Sequence, residues 1–458
     1  MSSKRPDEDE HAGRLTDLLR TGPASAPALC GSLGISQPTF SRLVARMPDL
    51  AHFGRGRATQ YFSRRSIVGI GDRVPLYEAL TEGSRALGVL HAARPDGFVF
   101  ESTSDDADSG WSEDLPWFMS DLRPAGFLGR LVPRIHGALG LPDNITLWSG
   151  DHCLRYLVQA AWNTPGSLLA GDEAFRRYAA QTEPPFADAV AADGRAERYA
   201  AIAEDVLQRG VAGSSAAGEQ PKFLATRAGE GGPTPVIVKF SPPATDALGT
   251  RVADLLVAEH LAVSLLSERG LPAAATSLHH ARGRTFLEVE RFDRVGTAGR
   301  RGVASLMALD RAFVGKLATW PETTEALLRQ RLISAADHRR VRWLHLFGRL
   351  IANSDMHLGN LSFFLSGARV RELCPAYDMT PMLYAPQGNE LVERAFQPPP
   401  PAPSEADLWP EVQAAAEVFW QRVSADPRIS GAFRTIAAEN AARLARLSTL
   451  AALLPGVR

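Results

Sequence analysis

Three polar residues, Asp355, Asn360 and Asp378, lie within or at the end of IANSDMHLGNLSFFLSGARVRELCPAYD (351–378), in an order that suits phosphoryl transfer. That chemistry needs a carboxylate to accept the proton of an attacking hydroxyl. It also needs an amide oxygen shortly after it for Mg²⁺, and a second carboxylate that keeps metal on the phosphates. Asp355 and Asn360 have the offset of such a loop, and Asp378 follows them. Two apolar runs, 361–365 and 370–374, flank Ser366-Gly367 and read as a hairpin that carries the chain out and back. Alone, Asp-x-x-x-x-Asn is ordinary turn and cap chemistry, because both side chains bond nearby backbone groups. A lone His357 is ordinarily structural. The weight therefore falls on what stands upstream.

Upstream, small residues crowd Gly213 to Gly218, ahead of Gln220 and Lys222. Such residues let backbone N–H groups approach phosphate oxygens closely, although the composition equally suits a linker. PVIVKF (235–240) reads as a strand presenting Lys239, the residue type and place that pair with nucleotide phosphates. The next helix, expected over 253–270, carries Glu259 as a candidate partner for that lysine. FLEVERFDR (286–294) runs from a strand into a polar segment, where a hinge between two lobes would meet adenine. Helices are expected over 302–350, ending in RWLHLFGRLIAN (342–353), which leads into the catalytic stretch. QPPPPAP (397–403) is polyproline-prone, and 405–455 reads as helical.

The first ten residues are charged and read as a disordered tail. From Gly13 the pattern becomes helical, with Leu15, Leu18 and Leu19 on one face. A short second helix follows Ser25, and a third is expected from Gln37 to Met47 with Phe40, Leu43 and Val44 inward. That third helix turns Ser36, Gln37, Thr39, Ser41 and Arg42 outward, and LAHFGRGRATQYF (50–62) reads as a small hairpin, the wing of a winged helix-turn-helix. Arg42, Arg46, Arg55, Arg57, Arg64 and Arg65 face one acid, Asp49, a local basic patch suited to DNA phosphates. A three-helix packing or dimerisation module would show the same elements. Between 75 and 145 the pattern suggests a small strand-containing subdomain with Gly88 and Gly97 at turns, and 150–210 reads as mostly helical.

The 458 residues allow two or three domains, with 45% apolar and 22% charged content. A net charge of −1 gives no bulk attraction to nucleic acid. Cys30, Cys153 and Cys374 are too few and too scattered for a disulfide framework or zinc knuckle. No apolar run suits a membrane span or a secretory signal, so a cytoplasmic protein is expected.

Taken together, these motifs resemble the HipA-like serine/threonine kinases of bacterial type II toxin–antitoxin systems, and most closely the YjjJ-type members with a fused helix-turn-helix. The family pattern S-x-A-G-x-Q-x-K is met by Ser215, Ala217, Gly218, Gln220 and Lys222; E-R-F-D-R by 290–294; N-x-D-x-H-x-x-N by Asn353, Asp355, His357 and Asn360; Y-D by Tyr377-Asp378. The resemblance implies an α+β, bilobal protein-kinase-like fold with a helical C-terminal lobe, preceded by the winged helix-turn-helix. The residue patterns give a tail over 1–10 and the DNA-binding module over 11–70; the resemblance covers roughly 75–455 and implies an N-terminal lobe over 75–300. That lobe would hold the subdomain 75–145, the phosphate loop and lysine strand 210–240 and the hinge 286–294, with the catalytic lobe over 301–458. Asp355 would be the base, and Asn360 and Asp378 the Mg²⁺ ligands. ATP would meet Ala217, Gly218, Glu219, Gln220, Pro221, Lys222, Lys239, Glu290, Arg291, Phe292, His357, Asn360, Tyr377 and Asp378. Ser215, or Ser214 beside it, would be autophosphorylated, adding about −1.5 to −2 of charge where ATP phosphates bind. The departures from the family are Glu219 and Pro221 inside the loop and the fused DNA-binding module.

The expected partners are ATP, a protein substrate and DNA through Ser36, Gln37, Thr39, Ser41, Arg42, Arg46, Arg55 and Arg57; a HipB-like antitoxin and a homodimer stay open. Three rival readings use the same residues: a small-molecule kinase, a DNA-binding regulator whose kinase fold is inactive or senses nucleotide, and a Mg²⁺-dependent nuclease.

Overall fold

The computed structural model describes residues 8–180, 189–209, 220–388 and 390–451. The chain divides into two compact units, residues 1–124, 136–183 and 366–369 in the first and 125–135, 184–365 and 370–458 in the second.

The first unit opens with α1 (Glu8–Leu18), β1 (Ala24–Ser25), α2 (Ala26–Leu33), α3 (Gln37–Val44), β2 (Leu50–Phe53) and β3 (Gln60–Ser63). Ser25 and Ser36 cap α2 and α3 by accepting from the N–H groups of Ala28 and Thr39, each replacing a partner that the first helical turn lacks. The third helix stops at Val44, short of the expected Met47. Leu15, Leu19, Leu29, Leu33, Phe40, Leu43 and Leu50 close one core. The strands pair in the order β1-β3-β2. Gly54 turns the hairpin at φ 80°, where an added Cβ would lie 2.5 Å from the Ala58 carbonyl oxygen, so only glycine fits there.

Next come β4 (Arg73–Ala79), β5 (Ser84–Ala93), β6 (Gly97–Ser102) and β7 (Gly110–Ser112). Then α4 (Gly126–Ile135), which belongs to the second unit, precedes α5 (Gly150–Gln159), β8 (Leu168–Ala170) and α6 (Asp172–Ala180). The antiparallel sheet runs β7-β6-β5-β4-β8. Two expectations change here. Gly88 sits inside β5 opposite Leu76, because a Cβ would clash with the Glu101 carbonyl and the Phe100 ring; close strand approach, not a turn, requires it. β8 interrupts the run 150–210, which was expected to be mostly helical. Residues 366–369 join this unit: Gly367 N–H donates to the buried Glu78 carboxylate at 2.8 Å and Ala368 N–H to the Asp106 carbonyl at 2.9 Å.

The second unit contains α7 (Arg195–Arg209), β9 (Lys222–Arg227), β10 (Thr234–Phe240), α8 (Ala247–Glu268), β11 (Thr276–Ala281) and β12 (Arg284–Glu290). Its sheet runs β11-β12-β10-β9. Strand alternation sends Val236, Val238 and Phe240 into a core with Tyr199, Ala203 and Phe286, and leaves Lys239 on the opposite face. On that face Leu287 and Val289 pack with Leu256 of α8. A short ribbon of β13 (Arg294–Val295) and β14 (Gly299–Arg300) leads to β15 (Gly302–Ser305), a strand where helix was expected. Three helices follow, α9 (Leu306–Phe313), α10 (Trp320–Arg329) and α11 (Ala335–Leu350). The anticipated hairpin forms as β16 (Ser362–Ser366) and β17 (Arg369–Leu373), and β15 pairs with β16. Finally α12 (Trp409–Ala425) and α13 (Gly431–Ala451) pack around Val412, Ala416, Phe419, Trp420, Phe433 and Ala437, all fully buried. Trp420 donates its indole N–H to the Leu350 carbonyl at 3.1 Å, fastening α12 to the end of α11. Among the described residues, no helix is long and apolar enough to cross a membrane.

Candidate active site

Lys239, on β10, is 7% exposed, and its ammonium is ion-paired with Glu259 of α8 at 2.5 Å and with Asp378. Glu259 is equally enclosed, and its other oxygen accepts from Thr380 Oγ1 at 3.0 Å. Burial opposes the lysine's charge, but Asp378 and Glu259 outweigh it and raise the ammonium pKa above its ordinary value. At Asp378 burial again opposes charge. Lys239, Lys222 and His357 prevail, holding the carboxyl below the usual carboxylate range. Glu259 is raised, chiefly by burial, against the pull of Lys239. Register places Lys222 directly opposite Lys239 on the same face of β9 and β10. Two cations so placed repel each other unless anions lie between or beside them.

The stretch that carries Asp355 leaves α11 through Ala352, a left-handed residue at φ 60°. Asn353 accepts from Asp355 N–H at 3.0 Å, and Asn360 Nδ2 donates to the Asp355 carbonyl at 2.8 Å. Asp355 and His357 are about half exposed, 4.0 Å apart, and His357 Nδ1 accepts from Gly359 N–H at 3.0 Å. Tying down Asn360 Nδ2 leaves its oxygen as the acceptor available for other chemistry. Tyr377 anchors the same stretch, its hydroxyl donating to the Gly359 carbonyl at 2.9 Å and meeting Ser362 Oγ at 2.8 Å. Its ring lies 5.8 Å from that of Phe292 at 32°, and Phe292 meets Phe364 edge-on at 5.9 Å.

Other sequence-named residues fall as follows. Gln220 donates to the Phe240 carbonyl at 2.5 Å, and Pro221 accepts from Phe240 N–H at 3.0 Å, so the start of β9 is pinned beside Lys239. Glu290 is ion-paired with Arg227. Arg291 is buried with its guanidinium on Asp293 at 3.0 and 2.8 Å, so its side chain serves structure. Ser214, Ser215, Ala217, Gly218 and Glu219 lie outside the described residues. In the N-terminal module Ser36, Gln37, Ser41, Arg42, Arg46, Arg55 and Arg57 are exposed and Thr39 half-buried. Two arginines of the expected basic patch are engaged elsewhere: Arg65 holds Asp151 at 2.6 and 2.7 Å, and Arg64 holds Asp72 at 3.1 Å.

Sequence reasoning missed Thr380, and it missed the buried Glu288. That carboxylate receives the Tyr199 hydroxyl at 2.6 Å and faces Arg227 at 3.5 Å and Arg195 at 3.7 Å. A carboxylate at the core-facing position of an apolar strand was the available signal for it. Among the described residues, no group of three or more His, Cys, Asp or Glu could hold a metal by itself.

Residues 70–179 match the middle domain of YjjJ-like toxins, and 214–440 match the HipA-like C-terminal domain. The chain is 38% identical to Toxin YjjJ of Escherichia coli strain K12 over 446 residues, covering 96% of this chain and 99% of that one. Among solved structures it is similar to the HipA of Shewanella oneidensis MR-1, seen in complex with HipB and operator DNA. The TM-score is 0.50 at 16% identity, covering 82% of this chain and 97% of that chain, a likeness of fold. With an α+β architecture of HipA type and this extent of identity, the chain belongs to the YjjJ-like toxin family.

Proposed function

We propose that this toxin-family protein is an ATP- and Mg²⁺-dependent serine/threonine protein kinase of HipA type, with Asp355 as general base. The observation that carries the reading is the Lys239 ammonium held between Glu259 and Asp378. A lysine so anchored is a fixed positive point for nucleotide phosphates, and Lys222 opposite it adds a second. Asp355 is exposed enough to reach a hydroxyl acceptor. The tilted pair of Tyr377 and Phe292 rings, 5.8 Å apart, would provide an apolar wall for a purine. The N–H groups of Glu290 and Arg291 already donate to Ala275 and Pro235, so a base edge would use other backbone groups of that segment.

The donor set suits Mg²⁺, a hard cation that takes one or two carboxylates and completes its shell with water and phosphate oxygens. The ionised Asp378 and the Asn360 amide oxygen would hold it. Bound there, it would neutralise charge on the phosphates. The residues' own tasks are distinct: Lys239 and Lys222 orient the nucleotide, and Asp355 takes the hydroxyl proton. Ser215, or Ser214, is the proposed autophosphorylation site, and its added charge would repel ATP.

The N-terminal module, over 11–70, is proposed as a winged helix-turn-helix that binds DNA through α3 and the β2–β3 turn. Its exposed Gln37, Ser41, Arg42, Arg46, Arg55 and Arg57 support this reading. A HipB-like antitoxin and operator DNA are proposed partners by analogy with the Shewanella complex. Assay of γ-phosphate transfer to protein and small-molecule acceptors tests the kinase reading. Transfer confined to small molecules would overturn the protein-kinase assignment, and Mg²⁺-dependent DNA nicking without ATP would replace it with nuclease chemistry.

A further inference from the structure

Asn353 is 4% exposed, and its side chain bonds in two directions. Its oxygen accepts from the Asp355 N–H at 3.0 Å, and its Nδ2 donates to the Asp378 carbonyl at 3.3 Å. One amide thus spans two segments of the active site.

The end of α11 fixes the near side of this bridge. Asn353 N–H donates to the Gly348 carbonyl at 2.8 Å and Ala352 N–H to the Arg349 carbonyl at 3.4 Å. This is the paired closure of a Schellman motif, with Ala352 in the left-handed position usually held by glycine. The Ala352 carbonyl in turn accepts from Leu383 N–H at 3.0 Å. The far side is Asp378, itself left-handed at φ 55°. A residue with a Cβ keeps that conformation only where its surroundings hold it there. Here the Asp378 carbonyl accepts from both Asn353 Nδ2 and Thr380 N–H, at 3.3 and 3.1 Å. Releasing the first bond frees the backbone that aims the Asp378 carboxylate.

We propose that Asn353 is a positioning residue that locks the Asp355 segment and the left-handed Asp378 into one mutual geometry. The inference rests on the kinase reading above for what Asp355 and Asp378 do. Asn353 itself touches neither substrate nor cation in this account.

The test uses the full chain with Asn353→Ala, which removes both bonds, and Asn353→Asp, which keeps an acceptor for Asp355 N–H but loses the donor to Asp378. Calorimetry reads ATP binding with and without Mg²⁺, and phosphate transfer is measured in parallel. Both variants should bind ATP alone like the parent, while the gain in affinity that Mg²⁺ brings falls about 10-fold or more. Transfer at saturating ATP and Mg²⁺ should fall roughly 10–100-fold in Asn353→Ala and less in Asn353→Asp. An unchanged Mg²⁺-dependent gain in Asn353→Asp overturns the proposal, whether or not Asn353→Ala folds. So does loss of Mg²⁺-free ATP binding in step with transfer, which would mark a general structural role. Transfer by an Asp355→Asn control would remove the kinase reading, while the binding data would still report on the Asn353 bridge.

Discussion

Lys239 and Asp378 are ion-paired although 139 residues separate them in the chain. Glu259 closes the arrangement from α8, and Thr380 ties Glu259 back to the segment after Asp378. The lysine thus joins a strand, a helix and the metal-ligand segment of the proposed site. Each of the three is held by bonds to the others.

Removing the lysine should leave the buried Glu259 beside Asp378 without its ion-pair partner. Lys239→Met is expected to cost about 3–5 kcal/mol of stability in denaturant unfolding. Adding Glu259→Gln should recover part of that loss, with a coupling of roughly 0.5–3 kcal/mol. Strict additivity would show that the pair contributes nothing as a pair.

His345 lies within α11, 6.2 Å from the Trp320 ring, and burial, helped by Arg349, lowers its pKa to about 4. The folded state therefore resists protonation that the unfolded chain accepts near the ordinary histidine value of about 6.5. Its contribution is present above that value and is lost as pH falls toward 4. Between those limits His345→Gln should flatten the fall of stability with pH by an amount of order 2–3 kcal/mol. An identical pH slope in parent and variant would refute the assignment.

In the N-terminal module, Arg55→Gln and Arg57→Gln should each weaken DNA binding and lower the slope of log affinity against log salt by about 1. Arg65→Gln should instead lower the melting temperature, because that guanidinium is engaged with Asp151. If Arg65 proved equivalent to Arg55 in the salt slope, the division of the basic patch would be wrong.

The candidate site was legible because its chemistry restricts residue types. A lysine in a β-branched strand, Asp355 and Asn360 at fixed offset, and Asp378 after a hairpin stand out from their surroundings. Strand periodicity sufficed to put Lys239 on the face opposite Val238, where Glu259 meets it. Other features depended on partners far away in the chain. Gly88 reads as a turn residue until the Phe100 ring and Glu101 carbonyl are seen beside it. Arg64 and Arg65 read as DNA contacts until Asp72 and Asp151 come into reach. Asn353 belongs to a recognisable motif, but its bond to Asp378 required knowing that the chain returns there with a left-handed residue.

The most direct measurement is transfer of labelled γ-phosphate from ATP, with Mg²⁺, to the protein itself, followed by mapping of the modified residue. The kinase account predicts label on Ser215 or Ser214 in the parent and its loss, by a factor of about 10³ or more, in Asp355→Asn. That variant should melt near the parent temperature, because Asp355 is half exposed. Equal labelling of Asp355→Asn would contradict the assignment of the base. A parent protein that neither labels nor binds ATP would contradict the phosphoryl-transfer reading altogether.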